Sequence, residues 1–144
     1  MLKIRGNDGH GLGSGTFGAS RDGGARRHSG IDIVCKPGEP VRALNDGKYM
    51  YPHAPYINDP SYTGLSVKDF NGNTNLYFYV KPAINPGDIV KKGQIIGCAQ
   101  DIAKKYSPKM TPHYHFEVRD KTWTRTNPAV KDPTKYLEGF SFHK

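Results

Sequence analysis

The chain has 144 residues, of which 21 are Lys or Arg and 13 are Asp or Glu, so its formal net charge is +8. This length fits a single domain, and no stretch approaches the roughly 18 consecutive apolar residues of a membrane-spanning helix. The charge favours an anionic partner, but the basic residues are scattered and no aromatic-rich binding motif accompanies them, which argues against nucleic acid. Bacterial wall polymers and acidic glycans fit the charge equally well. We expect a monomer.

The N-terminal segment, residues 1–27, is rich in glycine and poor in apolar residues. We predict that it forms an irregular arm beside a single domain at residues 28–144. Its first residues lack the apolar core of a signal peptide, which leaves both an intracellular protein and a mature secreted one open. Two cysteines, Cys35 and Cys98, are too few for a disulfide framework and could form one bridge or none.

Short alternating or β-branched runs predict strands along the rest of the chain, at residues 31–34, 40–44, 48–51, 65–68, 75–80, 89–90, 95–97 and 114–118. Asn45-Asp46-Gly47 and Asn71-Gly72 predict hairpin turns, and residues 89–97 resemble another hairpin. His53 falls in a Pro-rich loop and is expected to be solvated. One short helix is predicted within residues 99–106. The fold class is therefore mostly β, an antiparallel sheet domain with long loops and little helix.

Two of these segments place polar chemistry on one face of a strand. His28, Gly30 and Asp32 share a face because residues two apart point the same way, and His113 and His115 do likewise. A side chain larger than that of Gly30 would crowd the space between its neighbours. Imidazole nitrogen and carboxylate oxygen both bind Zn²⁺. Together the segments predict a metal site, catalytic with three protein ligands and a water or structural with four.

The same residues resemble a known family. His28 and Asp32, with the run His113-Tyr114-His115-Phe116-Glu117-Val118, look like the M23 zinc peptidases, lysostaphin-type enzymes that cleave the peptide cross-links of bacterial peptidoglycan. Residues 30–33, 38–47 and 90–97 fall in the family's order and spacing, and the resemblance covers residues 26–138. It implies an M23-type antiparallel β domain with loops around a zinc groove.

The resemblance also assigns roles. It makes His28, Asp32 and His115 the zinc ligands, and it makes His113 the non-ligand histidine that acts as general base beside the metal-bound water. Zinc lowers the pKa of such a water toward about 7. Glu117 shares the face of the histidines, and either a hydrogen bond to a metal ligand or a surface salt bridge would account for it.

One position departs from the active enzymes, which carry a further histidine in a Tyr-x-His-Leu pattern. The matching run here is Tyr77-Phe78-Tyr79-Val80, so Tyr79 occupies the position of that catalytic histidine. A phenol is a poor base at neutral pH because its pKa is about 10, although it can donate a hydrogen bond to an oxyanion. Tyr79 is therefore a catalytic candidate with a weakened role, and an aromatic side chain packed beside the groove is the alternative.

A narrower resemblance, to the animal branch called leukocyte cell-derived chemotaxin 2, is carried by Phe78-Tyr79-Val80-Lys81-Pro82 and Ile33-Val34-Cys35. It implies an extracellular zinc protein of immunity that binds a bacterial surface, a glycan or a cell-surface receptor, with little or no catalysis. An active zinc endopeptidase that cleaves bacterial walls is the alternative, so whether the protein is an enzyme stays open. Cys35 lacks its usual upstream partner, and no disulfide pairing carries over.

Overall fold

The computed structural model describes residues 2–6, 14–21, 26–139 and 142–143, and every structural statement below concerns these residues. They hold short strands, one helical turn and a 3-10 helix at Pro133–Leu137. The strands and the helical turn are β1 (Leu2–Lys3), β2 (Ser20–Arg21), β3 (Arg26–Arg27), β4 (Ile31–Val34), β5 (Pro40–Arg42), β6 (Gly47–His53), β7 (Gly64–Asp69), β8 (Thr74–Phe78), β9 (Val80–Pro82), β10 (Ile89–Val90), β11 (Ile95–Ala99), α1 (Ala103–Tyr106), β12 (His113–Arg119), β13 (Val130–Lys131) and β14 (Phe142–His143).

The largest sheet has the strand order β10-β6-β7-β8-β12-β13, and β4 pairs with β12 as well. All of its strand pairs are antiparallel. A second antiparallel sheet has the order β5-β11-β9, whereas β1 and β14 pair in parallel. The mostly β, antiparallel fold class predicted from the sequence is confirmed. No helix within the described ranges is long and apolar enough to cross a membrane.

The strand β12 lies between the apolar core and the polar site. Its residues Tyr114, Phe116 and Val118 belong to the core cluster, as the two-residue period requires. On the alternate positions His113, His115 and Glu117 are also buried. Residues of β4, β7 and β8 complete the core beneath the site, namely Ile31, Ile33, Leu65, Val67 and Tyr77.

One of the predicted hairpins is confirmed and two are wrong. The turn at Asn71-Gly72 joins β7 to β8, with Gly72 at a φ of 85°. By contrast, β5 pairs with β11 while β6 pairs with β7 and β10, so neither Asn45-Asp46-Gly47 nor residues 89–97 close a hairpin. The two turns bind each other instead: Lys92 N donates to Asp46 Oδ1 at 2.7 Å and Gly93 N donates to Ala43 O at 2.8 Å. The strands that flank each turn consequently enter different sheets.

Three smaller expectations can be compared with the structure. The helix α1 occupies the last four residues of the predicted range, and Ala99, the first residue of that range, belongs to β11. His53 is the last residue of β6 and not a loop residue, and its ring lies 4.6 Å from that of Phe78. Cys35 and Cys98 are both free thiols, the first buried and the second partly exposed.

Part of the N-terminal arm lies along β4. Arg5 N donates to Asp32 O, and Asp32 N donates to Gly15 O, each at 2.8 Å. Gly15 lies so close to β4 that a Cβ there would be 2.7 Å from Asp32 Cβ. Residues 7–13 and 22–25 of the predicted arm lie outside the described residues. The described parts of the arm thus border the polar face that carries Asp32.

Candidate metal centre

The antiparallel pairing of β4 with β12 brings the two sequence segments together. Asp32 lies directly opposite His115 in this pairing, and His113 lies opposite Val34. His28 precedes β4 and reaches the same face. Three donor atoms, one each from His28, Asp32 and His115, lie within 4.8 Å of one another. These are the three residues for which the sequence predicts metal ligation.

The three donor atoms form a small triangle. His28 Nε2 lies 3.0 Å from His115 Nδ1, His115 Nδ1 lies 2.9 Å from Asp32 Oδ1, and His28 Nε2 lies 3.2 Å from Asp32 Oδ1. Tetrahedral Zn²⁺ with bonds of about 2.0–2.1 Å holds its ligand atoms roughly 3.3 Å apart. The measured spacing therefore fits the donor set of a zinc site to within a few tenths of an ångström.

Hydrogen bonds on the far sides of the two rings point the nitrogen lone pairs into this triangle. His28 Nδ1 lies 3.0 Å from Thr16 O, a carbonyl that can only accept, so Nδ1 carries the proton and Nε2 presents its lone pair. His115 Nε2 lies 3.1 Å from Glu117 Oε1, which leaves the lone pair of Nδ1 facing Asp32. Backbone carbonyls and carboxylates fix histidine tautomers in the same way in metal sites. Two lone pairs and an anionic oxygen thus converge on one point, where a cation is favoured.

The charges of the cluster agree with this arrangement. Burial opposes a negative charge on Asp32, but its hydrogen bonds with His115 and His28 outweigh burial and hold its pKa well below the usual value. Burial likewise disfavours a charged His115, yet its hydrogen bonds with Asp32 and Glu117 raise its pKa to about 9. At neutral pH a protonated His115 therefore balances the negative charge of Asp32.

Arg5 is a member of the site that sequence reasoning missed. Its guanidinium is 2% exposed and donates to Asp32 Oδ2 from Nη2 at 2.9 Å and from Nε at 3.2 Å. The other carboxylate oxygen, Oδ1, faces His28 and His115. Arg5 thereby directs Asp32 to offer a single oxygen to the triangle. No local motif marks it, because it lies 27 residues from its partner in the sequence.

Glu117, for which the sequence left two roles open, is buried and contacts a candidate ligand. Besides His115, its carboxylate accepts from Ser29 Oγ at 2.7 Å and from Arg119 Nε at 2.8 Å. Burial opposes its charge, but these hydrogen bonds lower its pKa to about 2. The anionic Glu117 fixes the orientation of the His115 ring, so it belongs to the site and not to a surface ion pair.

His113 lies beside the triangle and outside it. Its Nδ1 lies 2.8 Å from Thr111 O, so Nδ1 carries the proton, and its Nε2 lies 3.6 Å from Asp32 Oδ2. Burial lowers the pKa of His113, which favours the neutral ring. Its Nε2 can thus accept a proton from a group bound at the triangle.

Tyr79 lies beside His113 and has an unusual backbone conformation. It has a φ of 67° between β8 and β9, a left-handed conformation that is costly for a bulky residue. The amides of Tyr79 and Val80 both donate to Thr63 O, and Gln100 N donates to Tyr79 O, which hold this bend. Its ring lies 6.2 Å from that of His113, centroid to centroid. Backbone strain of this kind concentrates at functional sites.

A chain of phenols leads to Tyr79. Tyr56 donates its hydroxyl proton to Tyr79 Oη at 3.1 Å, so the Tyr106 hydroxyl must be the donor in its own bond with Tyr56. Burial raises the pKa of Tyr79 further above the ordinary value of a phenol. Tyr79 therefore keeps its proton. Because Tyr79 accepts the hydrogen bond from Tyr56, its own hydroxyl proton can be donated to a bound group. Tyr56 and Tyr106 were not singled out from the sequence, since only the folded loop 54–63 and α1 bring them to the site.

Gly30 confirms the expectation that a side chain would crowd the site. A Cβ there would lie 2.3 Å from Phe116 O and 2.8 Å from both Cε1 and Nε2 of His115. The backbone contact alone forbids any larger residue without a shift of β4 against β12.

Comparison with known proteins agrees with the geometry. The model of Peptidase family M23 matches residues 26–128. Leukocyte cell-derived chemotaxin-2 of Bos taurus is 34% identical over 135 residues, which cover 94% of this chain and 80% of that protein. The glycyl-glycine endopeptidase ALE-1 of Staphylococcus capitis is 30% identical over 134 residues, or 92% of this chain, which spans about a third (34%) of that enzyme.

Among solved structures, the catalytic domain of the antimicrobial peptidase lysostaphin from Staphylococcus simulans superposes with a TM-score of 0.62. The match has 27% sequence identity and covers 86% of this chain and 87% of that domain. The predicted resemblance, in sequence and in fold, is confirmed.

Proposed function

Because this chain belongs to peptidase family M23, we propose that it is an extracellular zinc-binding protein of the leukocyte cell-derived chemotaxin 2 type, which binds an anionic surface polymer and cleaves peptides weakly or not at all. Similarity to the bovine chemotaxin over 94% of this chain supports the type. The observation that supports weak catalysis is Tyr79, a half-buried phenol that accepts a hydrogen bond from Tyr56 and occupies the position of a catalytic histidine.

In this proposal His28, Asp32 and His115 hold the zinc ion. Bound Zn²⁺ supplies a Lewis acid and lowers the pKa of a coordinated water. Arg5 and Glu117 keep Asp32 and His115 in position, through the Asp32 Oδ2 and His115 Nε2 contacts. The donor triangle supports this assignment because its atom-to-atom distances lie within a few tenths of an ångström of those in a tetrahedral zinc site.

The neighbouring side chains can do part of peptidase chemistry. His113 can hold a proton at Nε2, and Tyr79 can donate a hydrogen bond to a carbonyl oxygen, which makes the site a good receptor for a peptide or amide group. A phenol whose pKa is raised by burial cannot replace a neutral imidazole as a proton acceptor at pH 7. Binding without efficient cleavage is the consequence.

The partner is an anionic polymer in this proposal, either a bacterial wall polymer or an acidic glycan. The net charge of +8 supports this class because electrostatic attraction raises association rates with polyanions. A cell-surface receptor is the competing partner. Binding whose affinity does not depend on ionic strength would favour the receptor.

The deciding experiment compares cleavage and binding in the same zinc-loaded preparation. Purified peptidoglycan and oligoglycine peptides are incubated with the wild-type protein and with Tyr79→His, Tyr79→Phe and Tyr79→His/His113→Ala. We expect binding to walls without release of peptides from the wild type, a gain of cleavage in Tyr79→His alone, and loss of that gain in the double variant. Wild-type cleavage as rapid as that of Tyr79→His, and abolished by a chelator, would overturn the proposal.

That outcome would establish the second candidate, an active zinc endopeptidase of bacterial walls. The specific observation in its favour is the complete donor triangle with His113 beside it. Tyr79→Phe separates the two candidates further, since only an active enzyme loses turnover when the hydroxyl is removed.

A further inference from the structure

A cavity separate from the metal centre lies at the opposite end of β12. It has a volume of about 240 Å³, and its lining includes Asn73, Asp120, Lys121, Lys131, Lys135 and Tyr136. Asp120 is five residues beyond His115, so at ~3.3 Å per residue the cavity lies roughly 16 Å from the donor triangle. Its volume is below the ~300–1,000 Å³ of sites for drug-sized ligands, which suits a single small group.

The residues that line the cavity carry a net positive charge. Three lysines against one aspartate leave two net positive charges in the lining. The Asp120 carboxylate is already engaged, since Oδ2 accepts from Thr122 N at 2.9 Å and Oδ1 lies 3.4 Å from Lys131 Nζ. Neither Lys121 nor Lys135 has a carboxylate partner among the described residues. Two ammonium groups are thus available to a ligand.

Asn73 supplies an independent sign that a ligand belongs here. Its side chain is only 6% exposed, and its Oδ1 accepts from Lys121 N at 3.1 Å, which fixes the orientation of the amide. Within the described part of the chain the amide nitrogen has no hydrogen-bond partner. The nitrogen is not among the fully buried polar atoms that lack a partner, so it opens onto the cavity that Asn73 lines. An oxygen atom of a ligand in the cavity can accept its hydrogen bond.

We propose that this cavity binds one tetrahedral oxyanion, a phosphate or sulfate group carried by an acidic polymer. The Asn73 amide donates one hydrogen bond, and Lys121 and Lys135 supply the charge that balances the anion. Lys131 contributes a third ammonium group, shared with Asp120. The site is separate from the metal centre and does not depend on zinc. It would be a second binding site for the anionic polymer named in the proposed function.

The test uses inorganic phosphate and inorganic sulfate as probes, at low ionic strength, with the zinc-loaded and the chelator-treated protein. Side-chain amide signals of Asn73 and the backbone signal of Lys121 should shift on titration by NMR and saturate with the same constant in both preparations. Glycerol phosphate and a sulfated monosaccharide then distinguish the two sources of the group by which of them binds more tightly.

Asn73→Asp is the sharpest variant, because it keeps an oxygen acceptor for Lys121 N and replaces the donor by a negative oxygen. We expect it to weaken phosphate binding by at least about tenfold. Lys135→Met should also weaken binding, whereas Lys48→Met, the same loss of charge at an exposed position of β6, should leave it unchanged. If Asn73→Asp does not fold, the comparison of phosphate binding by Lys135→Met and Lys48→Met tests the proposal.

Shifts that do not saturate, or equal losses in Lys135→Met and Lys48→Met, would overturn the proposal and leave only general charge attraction. Because zinc binding is measured separately, failure of this cavity leaves the proposed metal-dependent function untouched. Conversely, phosphate binding that persists after chelation stands even if the metal centre proves to be inactive.

Discussion

His28 Nε2 and His115 Nδ1 lie 3.0 Å apart, although each presents a lone pair when the imidazoles are neutral. Thr16 O and Glu117 Oε1 occupy the far sides of the rings and hold the protons there. Two lone pairs at this distance repel each other unless a cation lies beside both. The sequence spacing alone could not reveal this, since it depends on the pairing of β4 with β12.

Zinc should therefore stabilise the folded protein. At a free zinc concentration a hundred times the dissociation constant, binding adds about 2.7 kcal/mol to the free energy of unfolding. For a chain of this size that corresponds to a rise in Tm of roughly 5–10 °C. Calorimetric melting with and without zinc measures it.

His28→Gln should abolish most of this rise, because it removes one of the donors. His53→Gln is the matched control, since His53 packs on Phe78 and contributes no donor atom to the triangle. Equal zinc-induced rises in Tm for both variants would contradict the assigned donor set.

Glu117→Gln tests whether the orientation of His115 matters to the metal. The amide keeps an oxygen acceptor for His115 Nε2 and Ser29 Oγ but loses the negative charge. Loss of such a partner of a ligating histidine lowers metal affinity by roughly 10–100-fold. Competition with a chromophoric chelator measures the zinc dissociation constant. An unchanged constant would show that the charge of Glu117 is irrelevant to the site.

The sequence indicates which side chains meet at the candidate metal centre better than it indicates the connections between strands. Residues two apart on a strand share a face whatever sheet the strand enters, which groups His113 with His115 on β12. His28 precedes β4, so the strand period does not by itself place it beside Asp32. Local turn chemistry could not show that the turns at Asp46 and Lys92 bind each other. That contact places β5 and β6 in separate sheets.

Residues that reach the site from distant segments were the hardest to foresee. Arg5 approaches Asp32 from a glycine-rich segment without a motif, and Tyr56 approaches Tyr79 from an irregular loop. Each contact depends on the path of a loop, which no periodicity encodes. The sequence indicates Tyr79 as a site residue. It does not indicate the left-handed backbone of Tyr79, because bulky residues rarely adopt that conformation.

Gly30→Ala should destabilise both the fold and the metal centre. The new methyl group would lie 2.3 Å from Phe116 O, so β4 must move away from β12. Overpacking of this kind costs about 1–3 kcal/mol, which urea denaturation measures. The shift also separates Asp32 from His115, and zinc affinity should fall with it.

Gly6→Ala is the control for this substitution, because nothing lies within 4 Å of a Cβ at Gly6. It should change neither the free energy of unfolding nor zinc affinity measurably. If Gly30→Ala behaves like this control, the close approach of β4 to β12 is wrong.

His53 should make the protein less stable in mild acid. Burial, together with the nearby positive charge of Arg119, lowers its pKa to about 4, whereas the unfolded chain has the ordinary value of 6.5. Between these values the unfolded state binds more protons, so the free energy of unfolding falls as the pH drops from 6.5 toward 4.

His53→Gln should therefore lose less stability than the wild type between pH 7 and pH 5, in urea denaturation at both values under the same metal conditions. The NMR signal of the His53 ring should show no titration near pH 6.5. A ring that titrates near pH 6.5, or identical pH profiles for the two proteins, would show that His53 is as solvated as its sequence context predicts.

Cys35 and Cys98 should differ sharply in reactivity although both are free thiols. Burial, with the nearby charge of Glu39, raises the pKa of Cys35 to about 12. At pH 8 only about one Cys35 in ten thousand is then a thiolate, the form that reacts with iodoacetamide. Cys98 is partly exposed, so native protein should incorporate one label, at Cys98, and urea-unfolded protein two, as mass spectrometry of the digested chain can show. Cys98→Ser should take up no label while folded, and rapid native labelling of that variant would mean that the β4 end of the core opens far more readily than its packing implies.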